Sequence, residues 1–208
     1  MAIVEYVTAF FHTGHAWLWK RFYAAQVAAA YGTLRWVEYA ISASTMLVLL
    51  AIFAGHVNAY VLALLGALVF TTMKFGWLSE VVARPDATHD EWSSPRALRV
   101  GVHLLGYVPL LVAWVVVCVQ FVRYASVEGR DASGVVANKM PEWVYALFVV
   151  EILLFWSFAF VQLRVLLGRP SDYLRAEYRY VALSFVAKSS LAFLVFGGTL
   201  DLALDNRP

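Results

Sequence analysis

Long apolar runs constrain the fold of this chain more than any other feature of its sequence. Of the 208 residues, 62% are hydrophobic and only 14% are charged, and the mean hydropathy is +0.70. A water-soluble domain of this size cannot bury that much apolar surface, because its outer shell must face water. A bilayer core about 30 Å thick accepts it, at roughly 20 apolar residues per helical crossing. The sequence therefore predicts an all-α membrane protein with one transmembrane helical domain over residues 1–208.

Six apolar runs are long enough to be transmembrane helices. Membrane-spanning strands are shorter and alternate in polarity, so the run lengths favour helices. We expect the fourth span to bend at Pro109, because proline removes a backbone donor and clashes with the preceding turn. The predicted spans are approximately residues 2–19, 33–54, 59–82, 97–124, 142–167 and 180–202.

Basic residues gather at one end of these spans. Cytoplasmic loops carry the excess of lysine and arginine, so this end is predicted to be cytoplasmic and both termini to face outward. The longest connection, residues 125–141, then lies outside. The basic end collects Lys20, Arg21, Arg35, Arg84, Arg96, Arg99, Arg164, Arg169, Arg175 and Arg179, and the other end collects Arg123, Arg130, Lys139 and Arg207.

Several functional classes find no support in the composition. A formal net charge of +2 gives no reason to expect a nucleic-acid partner. Cys118 is the only cysteine, which excludes an internal disulfide and a cysteine metal cluster, and we expect it to be a packing residue. The sequence contains no nucleophile or metal-ligand motif, so we do not expect an enzyme. No basic stretch precedes the first apolar run, so we expect no cleaved signal peptide.

Two ionisable residues lie inside the predicted spans at similar depth. Lys188 is about eight residues into the sixth span, roughly 12 Å deep, and Glu38 is about five to seven residues into the second, roughly 8–10 Å deep. A charge inside a bilayer is costly and indicates function by default. Because pairing lowers the cost, we expect the two groups to meet across the bundle.

A lysine at that depth is a candidate nucleophile. A buried amine tends to lose its proton, and the neutral form attacks aldehydes to give Schiff bases. A nearby carboxylate such as Glu38 then keeps the imine protonated. Ser184 is one helical turn from Lys188 on the same face, where its hydroxyl can hydrogen-bond the imine. A plain interhelical ion pair that holds the bundle together accounts for the spacing equally well.

The motifs around these residues resemble the heliorhodopsins, a family of microbial rhodopsin-like retinal proteins. Residues 35–39, Arg-Trp-Val-Glu-Tyr, are similar to the third helix of that family, and residues 183–189, Leu-Ser-Phe-Val-Ala-Lys-Ser, are similar to its seventh. The resemblance covers nearly the whole chain. Further similar positions are Ser42, Ser44, Met46, 75–80, 155–162, 173–180, Ala192 and 198–200.

The resemblance implies a seven-helix rhodopsin-type bundle, represented here by about six helices, in the cell membrane. It implies all-trans retinal on Lys188 as a protonated Schiff base, with Glu38 as counterion and Ser184 beside it. It also implies a sensor that does not pump ions and that forms homodimers. Candidate residues for the retinal pocket, each explained equally well by ordinary packing, are Trp36, Tyr39, Met46, Phe155 and Trp156.

Three features depart from the family pattern. The first family helix has no counterpart, and neither has a histidine on it. His12 resembles the partner histidine and is a proton-handling candidate, as is Arg35, although a packing role for His12 is equally open. Glu151 lies inside the fifth span, and we favour a buried protonated acid over a water cavity or a proton path. Lys74 in the third span is the only rival target for an aldehyde, and no carboxylate lies at its depth.

The sequence therefore predicts a light-sensing, retinal-binding photoreceptor that changes the shape of its cytoplasmic loops for an unknown signalling partner. Two other functions stay open. One is a light-gated proton channel on the same scaffold that uses Glu38, Glu151 and His12. The other is a transporter or structural membrane protein without a chromophore, in which Lys188 and Glu38 form only a structural ion pair.

Overall fold

The chain folds into a bundle of α-helices. The computed structural model describes residues 2–86, 88–126, 129–130, 136–137 and 140–205. Lys139 and Arg207, which the sequence analysis counted at the less basic end, lie outside the described residues. The helices are α1 (Ala2–Thr13), α2 (Lys20–Ala28), α3 (Thr33–Phe53), α4 (Ala59–Ala83), α5 (Arg96–Leu105), α6 (Tyr107–Ser126), α7 (Glu142–Leu167) and α8 (Tyr173–Asp205), with a π-helix at Gly14–Leu18 and a 3-10 helix at Pro170–Asp172.

Strand pairing is minimal in the described part of the chain. β1 (Gly129–Arg130) and β2 (Val136–Ala137) form a two-stranded antiparallel ladder within the longest connection. The predicted all-α membrane bundle is therefore confirmed.

Five described segments are long and apolar enough to cross a membrane. Their outward faces carry large apolar side chains such as Phe185, Phe193 and Phe196, each more than two thirds exposed. Soluble monomers do not expose continuous apolar faces of this kind, whereas lipid covers them at no cost. The chain is thus a multi-pass membrane protein. The five segments are Thr33–Phe53, Ala59–Ala83, Arg96–Ser126, Glu142–Leu167 and Pro170–Leu200.

The first predicted span has a less regular structure. Over residues 2–19, α1 ends at Thr13 and the chain continues as the π-helix to Leu18. This segment is not among the five, because no single α-helix in it is long enough. α1 nevertheless packs against α3, and Val4 and Phe11 are buried. That the segment crosses the membrane stays a prediction.

The fourth predicted span is interrupted just before Pro109. Residues 96–126 form two helices separated by Gly106. Pro109, in the first turn of α6, has no N–H to donate to the carbonyl of Leu105, so a straight helix cannot continue through this point. The predicted bend is confirmed.

Two details of the sequence analysis were wrong. The sixth span was placed at residue 180, but α8 begins at Tyr173, because the polar residues before the apolar run form helix as well. Lys188 is therefore fifteen residues, or roughly 22 Å, along its helix. Arg35 was counted among the loop charges, but its side chain is buried inside the bundle.

A buried apolar core joins the helices. α3 packs mainly on α4, and α7 on α8, while α5 contacts both α4 and α7. α6 packs on α4, and its aromatic rings meet rings of α7. The core residues that α3 and α7 contribute include Leu47, Leu50, Leu147 and Phe148, all buried. This arrangement places α3 and α8, which carry Glu38 and Lys188, within reach of each other.

The loop between α4 and α5 is tied to the linker between α7 and α8. Trp92 donates from Nε1 to the carbonyl of Gly168 at 2.9 Å, and Ser171 donates from Oγ to Asp90 at 2.6 Å. The hydrogen bonds from Ser171 hold the pKa of the Asp90 carboxyl below its usual range. Two neighbouring connections at the basic end therefore form one ordered surface.

Gly76 of α4 permits the close approach of Trp36 from α3. A Cβ at this position would lie 2.3 Å from two ring atoms of Trp36, whereas a Cβ at Gly197 of α8 meets nothing within 4 Å. The absence of a side chain at residue 76 thus fixes the distance between the two helices.

We expect Gly76→Ala to lower the free energy of unfolding by about 1–3 kcal/mol, because a buried ring must move. Gly197→Ala is the matched control and should be neutral or slightly stabilising, because alanine favours the helix. Thermal unfolding in detergent, followed by circular dichroism, measures both. Equal midpoints for the two variants would contradict the packing argument.

Candidate functional site

The structure brings together the two ionisable residues that the sequence analysis expected to meet. Nζ of Lys188 on α8 lies 2.6 Å from Oε1 of Glu38 on α3 and 2.8 Å from Oγ of Ser184. All three side chains are buried, with at most 4% of any residue exposed. Each charge offsets the cost of removing the other from water, and the hydroxyl accepts a further hydrogen bond. The predicted contact is confirmed.

An apolar cavity extends from Lys188 across the bundle to the junction of α5 and α6. The space between its walls, counted out to its open side, is about 810 Å³. Lys188 and Ser184 are both among its lining residues. The lining residues are Trp36, Tyr39, Ser42, Ala43, Met46, Thr72, Met73, Gly76, His103, Gly106, Tyr107, Leu110, Phe155, Phe158, Ala159, Gln162, Tyr180, Ser184, Ala187 and Lys188.

Most of the predicted pocket residues lie in this wall. Trp36, Tyr39, Met46 and Phe155 all line the cavity. Trp156 lies one layer further out, where its ring stacks on the lining residue Tyr107 with centroids 5.6 Å apart. The flat rings among these residues offer much apolar contact with little rotamer freedom.

The far end of the cavity carries polar groups that the sequence analysis did not single out. His103 of α5 is buried, and its Nε2 lies 3.2 Å from the Tyr107 hydroxyl and 3.3 Å from the carbonyl of Ala159. A lone histidine in an amphipathic helix gives no sequence signal of this placement. Only the packing of α5 against α7 directs it inward.

A second ionic cluster closes the basic end of the bundle. Arg35 donates to Glu80 of α4 and to Glu177 of α8, and all three residues are buried. Tyr173 donates to Oε2 of Glu80 at 3.0 Å, and the backbone N–H of Gly32 donates to the same atom at 3.0 Å. One guanidinium therefore joins three helices through two carboxylates.

Hydropathy does not mark the carboxylates of this cluster as membrane charges. Glu80 lies close to the end of its predicted span, and Glu177 lies before the predicted start of the sixth span. A usable signal was the occurrence of two carboxylates and one arginine at the same ends of three helices. Charges in such positions pair when the helix ends are buried.

Arg35 connects this cluster to the cavity through the ring of Tyr180, because its Cζ lies 4.1 Å from the ring centroid. Tyr180 donates to Oε1 of Gln162, and Nε2 of Gln162 donates to Oγ of Ser79 at 3.0 Å. The hydroxyl of Tyr39 donates to the backbone carbonyl of Tyr180 at 3.1 Å. Because Tyr39, Gln162 and Tyr180 also line the cavity, polar contacts run from the basic end to the cavity wall.

His12 is the proton-handling candidate closest to the Lys188 pair. Its Nε2 lies 3.9 Å from Oε1 of Glu38, and its side chain is 37% exposed. His15 on the π-helix stacks on Tyr23 of α2 with ring centroids 4.4 Å apart. Tyr23 donates to Glu177 at 2.7 Å, and burial raises the pKa of this phenol, so it stays protonated as a donor.

The two remaining ionisable residues of the sequence analysis lie apart from the pair. Lys74 is on an exposed face of α4, with Nζ 5.0 Å from the centroid of Phe70 and no ion-pair partner among the described residues. Glu151 is fully buried in α7, and neither carboxyl oxygen has a hydrogen-bond partner in the described part of the chain. Among the described lysines, Lys188 is therefore the one that is buried, contacts a carboxylate and lines the cavity.

We expect Arg35→Gln to lower the free energy of unfolding by about 3–5 kcal/mol, because it leaves two buried carboxylates without their cation. Arg175→Gln is the matched control, since Arg175 is exposed and, within the described ranges, pairs only with the exposed Asp172, so its loss should cost under about 1 kcal/mol. Thermal unfolding in detergent measures both variants. A similar loss for the two would show that the buried cluster contributes little.

Comparison with known proteins agrees with this arrangement. The family model described as heliorhodopsin matches residues 1–200, which is nearly the whole chain. No curated protein sequence matches. The family is generally not one of classical enzymes, and it implies a retinal chromophore and a photoreceptor role in the membrane. With a buried lysine–glutamate pair at one end of an aromatic cavity and a family match over residues 1–200, the chain belongs to the heliorhodopsin family.

Proposed function

We propose that this protein is a light sensor that does not pump ions. In this proposal Lys188 carries all-trans retinal through a protonated Schiff base, and Glu38 is the counterion. The observation that carries the proposal is the position of Nζ of Lys188, which is buried, opens onto an apolar cavity and contacts one carboxylate and one hydroxyl.

The residues present fit a retinal group. Retinal requires an amine that reacts with an aldehyde and a long apolar slot for its polyene. Nζ of Lys188 lies at one end of the cavity, and Trp36, Tyr39 and Phe155 provide aromatic walls. When bound, retinal supplies the visible absorption and the light-driven change of shape.

Glu38 and Ser184 hold the proton at the nitrogen of residue 188. The carboxylate stabilises a positive charge at 2.6 Å, and the hydroxyl accepts a hydrogen bond at 2.8 Å. A movement of Nζ away from Glu38 weakens this stabilisation and favours loss of the proton. His12, 3.9 Å from Glu38, is within reach as the next acceptor.

Two features favour a sensor over a pump. A pump needs ordered proton acceptors on both sides of the nitrogen. Towards the basic end, Glu80 and Glu177 are both held by Arg35. On the opposite side Glu151 has no hydrogen-bond partner among the described residues. A movement of Lys188 relative to Glu38 instead displaces α8, which also carries Glu177 and Tyr173 nearer the basic end.

The proposal extends to topology and partners. We infer that the basic end faces the cytoplasm and the C-terminus faces outward in the cell membrane, because most loop lysines and arginines lie at that end. The joined loop surface around Asp90 and Ser171 offers a place for an unidentified signalling partner. We also propose a homodimer in the lipid bilayer.

A light-gated proton channel is the second candidate. His12, beside Glu38 and partly exposed, favours it, because it connects the buried pair to the bundle surface. A light-dependent current under voltage clamp would establish the channel, and its absence with an intact photocycle supports the sensor. If no visible band forms after all-trans retinal is added, the chain is a structural or transport protein without a chromophore.

We expect Lys188→Ala to abolish the visible absorption band completely, because no other described lysine opens onto the cavity. Lys74→Ala is the matched control and should keep the band, since Lys74 lies on the outer face of α4. Both variants are expressed with all-trans retinal, and spectra are recorded with and without hydroxylamine. A band that persists in Lys188→Ala would refute the attachment.

We expect Glu38→Gln to make the nitrogen lose its proton at lower pH. Removing a negative charge at 2.6 Å destabilises the protonated form, so the pH at which the visible band is lost should fall by roughly one to three units. Spectra recorded across a pH series measure this shift. Unchanged spectra and titration would remove Glu38 from the role of counterion.

A further inference from the structure

A buried carboxyl group in the outer half of the bundle has no place in the proposed function. Glu151 lies in the middle of α7 and has no solvent exposure. Neither Oε1 nor Oε2 has a hydrogen-bond partner among the described residues. A buried polar group without a partner costs free energy, so its presence needs a physical explanation.

The surroundings of Glu151 do not support a negative charge. Leu147 and Phe155, one helical turn away on either side along the same face of α7, both belong to the buried apolar core. The buried cations Lys188 and Arg35 both pair with other carboxylates, and no described cation pairs with Glu151. An isolated carboxylate in such a place costs several kcal/mol or more, so the group is held in its neutral, protonated form.

A second buried polar atom without a partner among the described residues lies on the neighbouring helix α6. The indole Nε1 of Trp114, on α6, is buried and has no acceptor in the described part of the chain. Two ring contacts fix how α6 and α7 are aligned. Trp114 meets Phe155 with centroids 5.3 Å apart, and Phe121 stacks on Phe148 at 4.0 Å. Glu151 lies between these contacts, four residues or roughly 6 Å of axial rise from the level of Trp114.

We propose that Glu151 and Trp114 form a small polar site that binds one internal water molecule, with the Glu151 carboxyl protonated. The chemistry of the two groups is complementary to a water. The indole N–H and the carboxyl O–H each donate to the water oxygen, and the water donates back to the carboxyl carbonyl. This gives three hydrogen bonds, the usual number for a buried water, and satisfies the unpartnered atoms of Glu151 and Trp114.

The site is separate from the Lys188 pair but adjoins the cavity. Neither Glu151 nor Trp114 lines the cavity, whereas Phe155, which contacts the Trp114 ring, does. A displacement of the Phe155 ring therefore changes the hydrogen bonding of the water site without direct contact with a ligand. The site places a proton-carrying group in the outer half of the bundle, independently of whether retinal binds Lys188.

Infrared spectroscopy of the purified protein in the dark tests the protonated acid. We expect the wild type at neutral pH to show the carbonyl stretch of a protonated carboxyl group that shifts down in D₂O. Glu151→Gln should lose this band by one carboxyl equivalent and keep the helical content. Glu142→Gln, which removes an exposed carboxyl from the same helix, is the matched control and should keep the band. An unchanged band in Glu151→Gln would overturn the assignment.

A second variant tests the shared water. In Trp114→Phe, we expect the Glu151 carbonyl band to move in frequency, because one hydrogen bond to the water is lost. Exchange into H₂¹⁸O should shift a water O–H band in the wild type and not in Glu151→Leu, whose side chain cannot hydrogen-bond a water. A carbonyl band that keeps its frequency in Trp114→Phe would show that the two residues share no water. If Glu151→Gln fails to fold, Glu151→Leu serves the same comparison, with folding checked by circular dichroism.

Discussion

One buried ion pair determines how this bundle is organised. Nζ of Lys188 and the carboxylate of Glu38 lie 2.6 Å apart where neither charge is stable alone. Their contact requires α3 and α8 to approach each other, and the approach leaves the apolar cavity on the side of α4 to α7. The packing of α3 and α8 therefore positions both the groups that stabilise a charge at residue 188 and the residues that enclose the cavity.

The Arg35 cluster closes the bundle beyond that pair. Glu38 is three residues from Arg35 on α3, and Lys188 is eleven residues from Glu177 on α8, so the same two helices carry both ionic contacts. Arg35 also contacts the ring of Tyr180, which lines the cavity, with Cζ 4.1 Å from the ring centroid. α8 therefore takes part in both ionic contacts and in the cavity wall. Membership of the heliorhodopsin family implies a retinal chromophore for this protein.

Much of the site was accessible from the sequence because burying charge in a membrane is expensive. Lys188, Glu38 and Ser184 stood out as polar residues inside apolar runs, and the spacing of four residues placed Ser184 on the face of Lys188. Glu80 and Glu177 did not stand out, because hydropathy marks where an apolar run ends and not where a helix ends. For the same reason the start of α8 was placed seven residues too late. The place of Trp156 in the sequence did not indicate that its ring stacks on Tyr107, outside the cavity wall.

The sequence by itself determined the all-helical membrane class, the break near Pro109 and the identity of the ionisable residues that a bilayer must accommodate. These properties follow from run length, from the missing proline N–H and from the cost of desolvating charge, all of which are local. Only the tertiary structure decided which charges pair, which aromatic rings face the cavity and that Glu151 and the Trp114 indole have no partner among the described residues. Those outcomes depend on the relative rotation and alignment of helices far apart in the chain, which local composition does not encode.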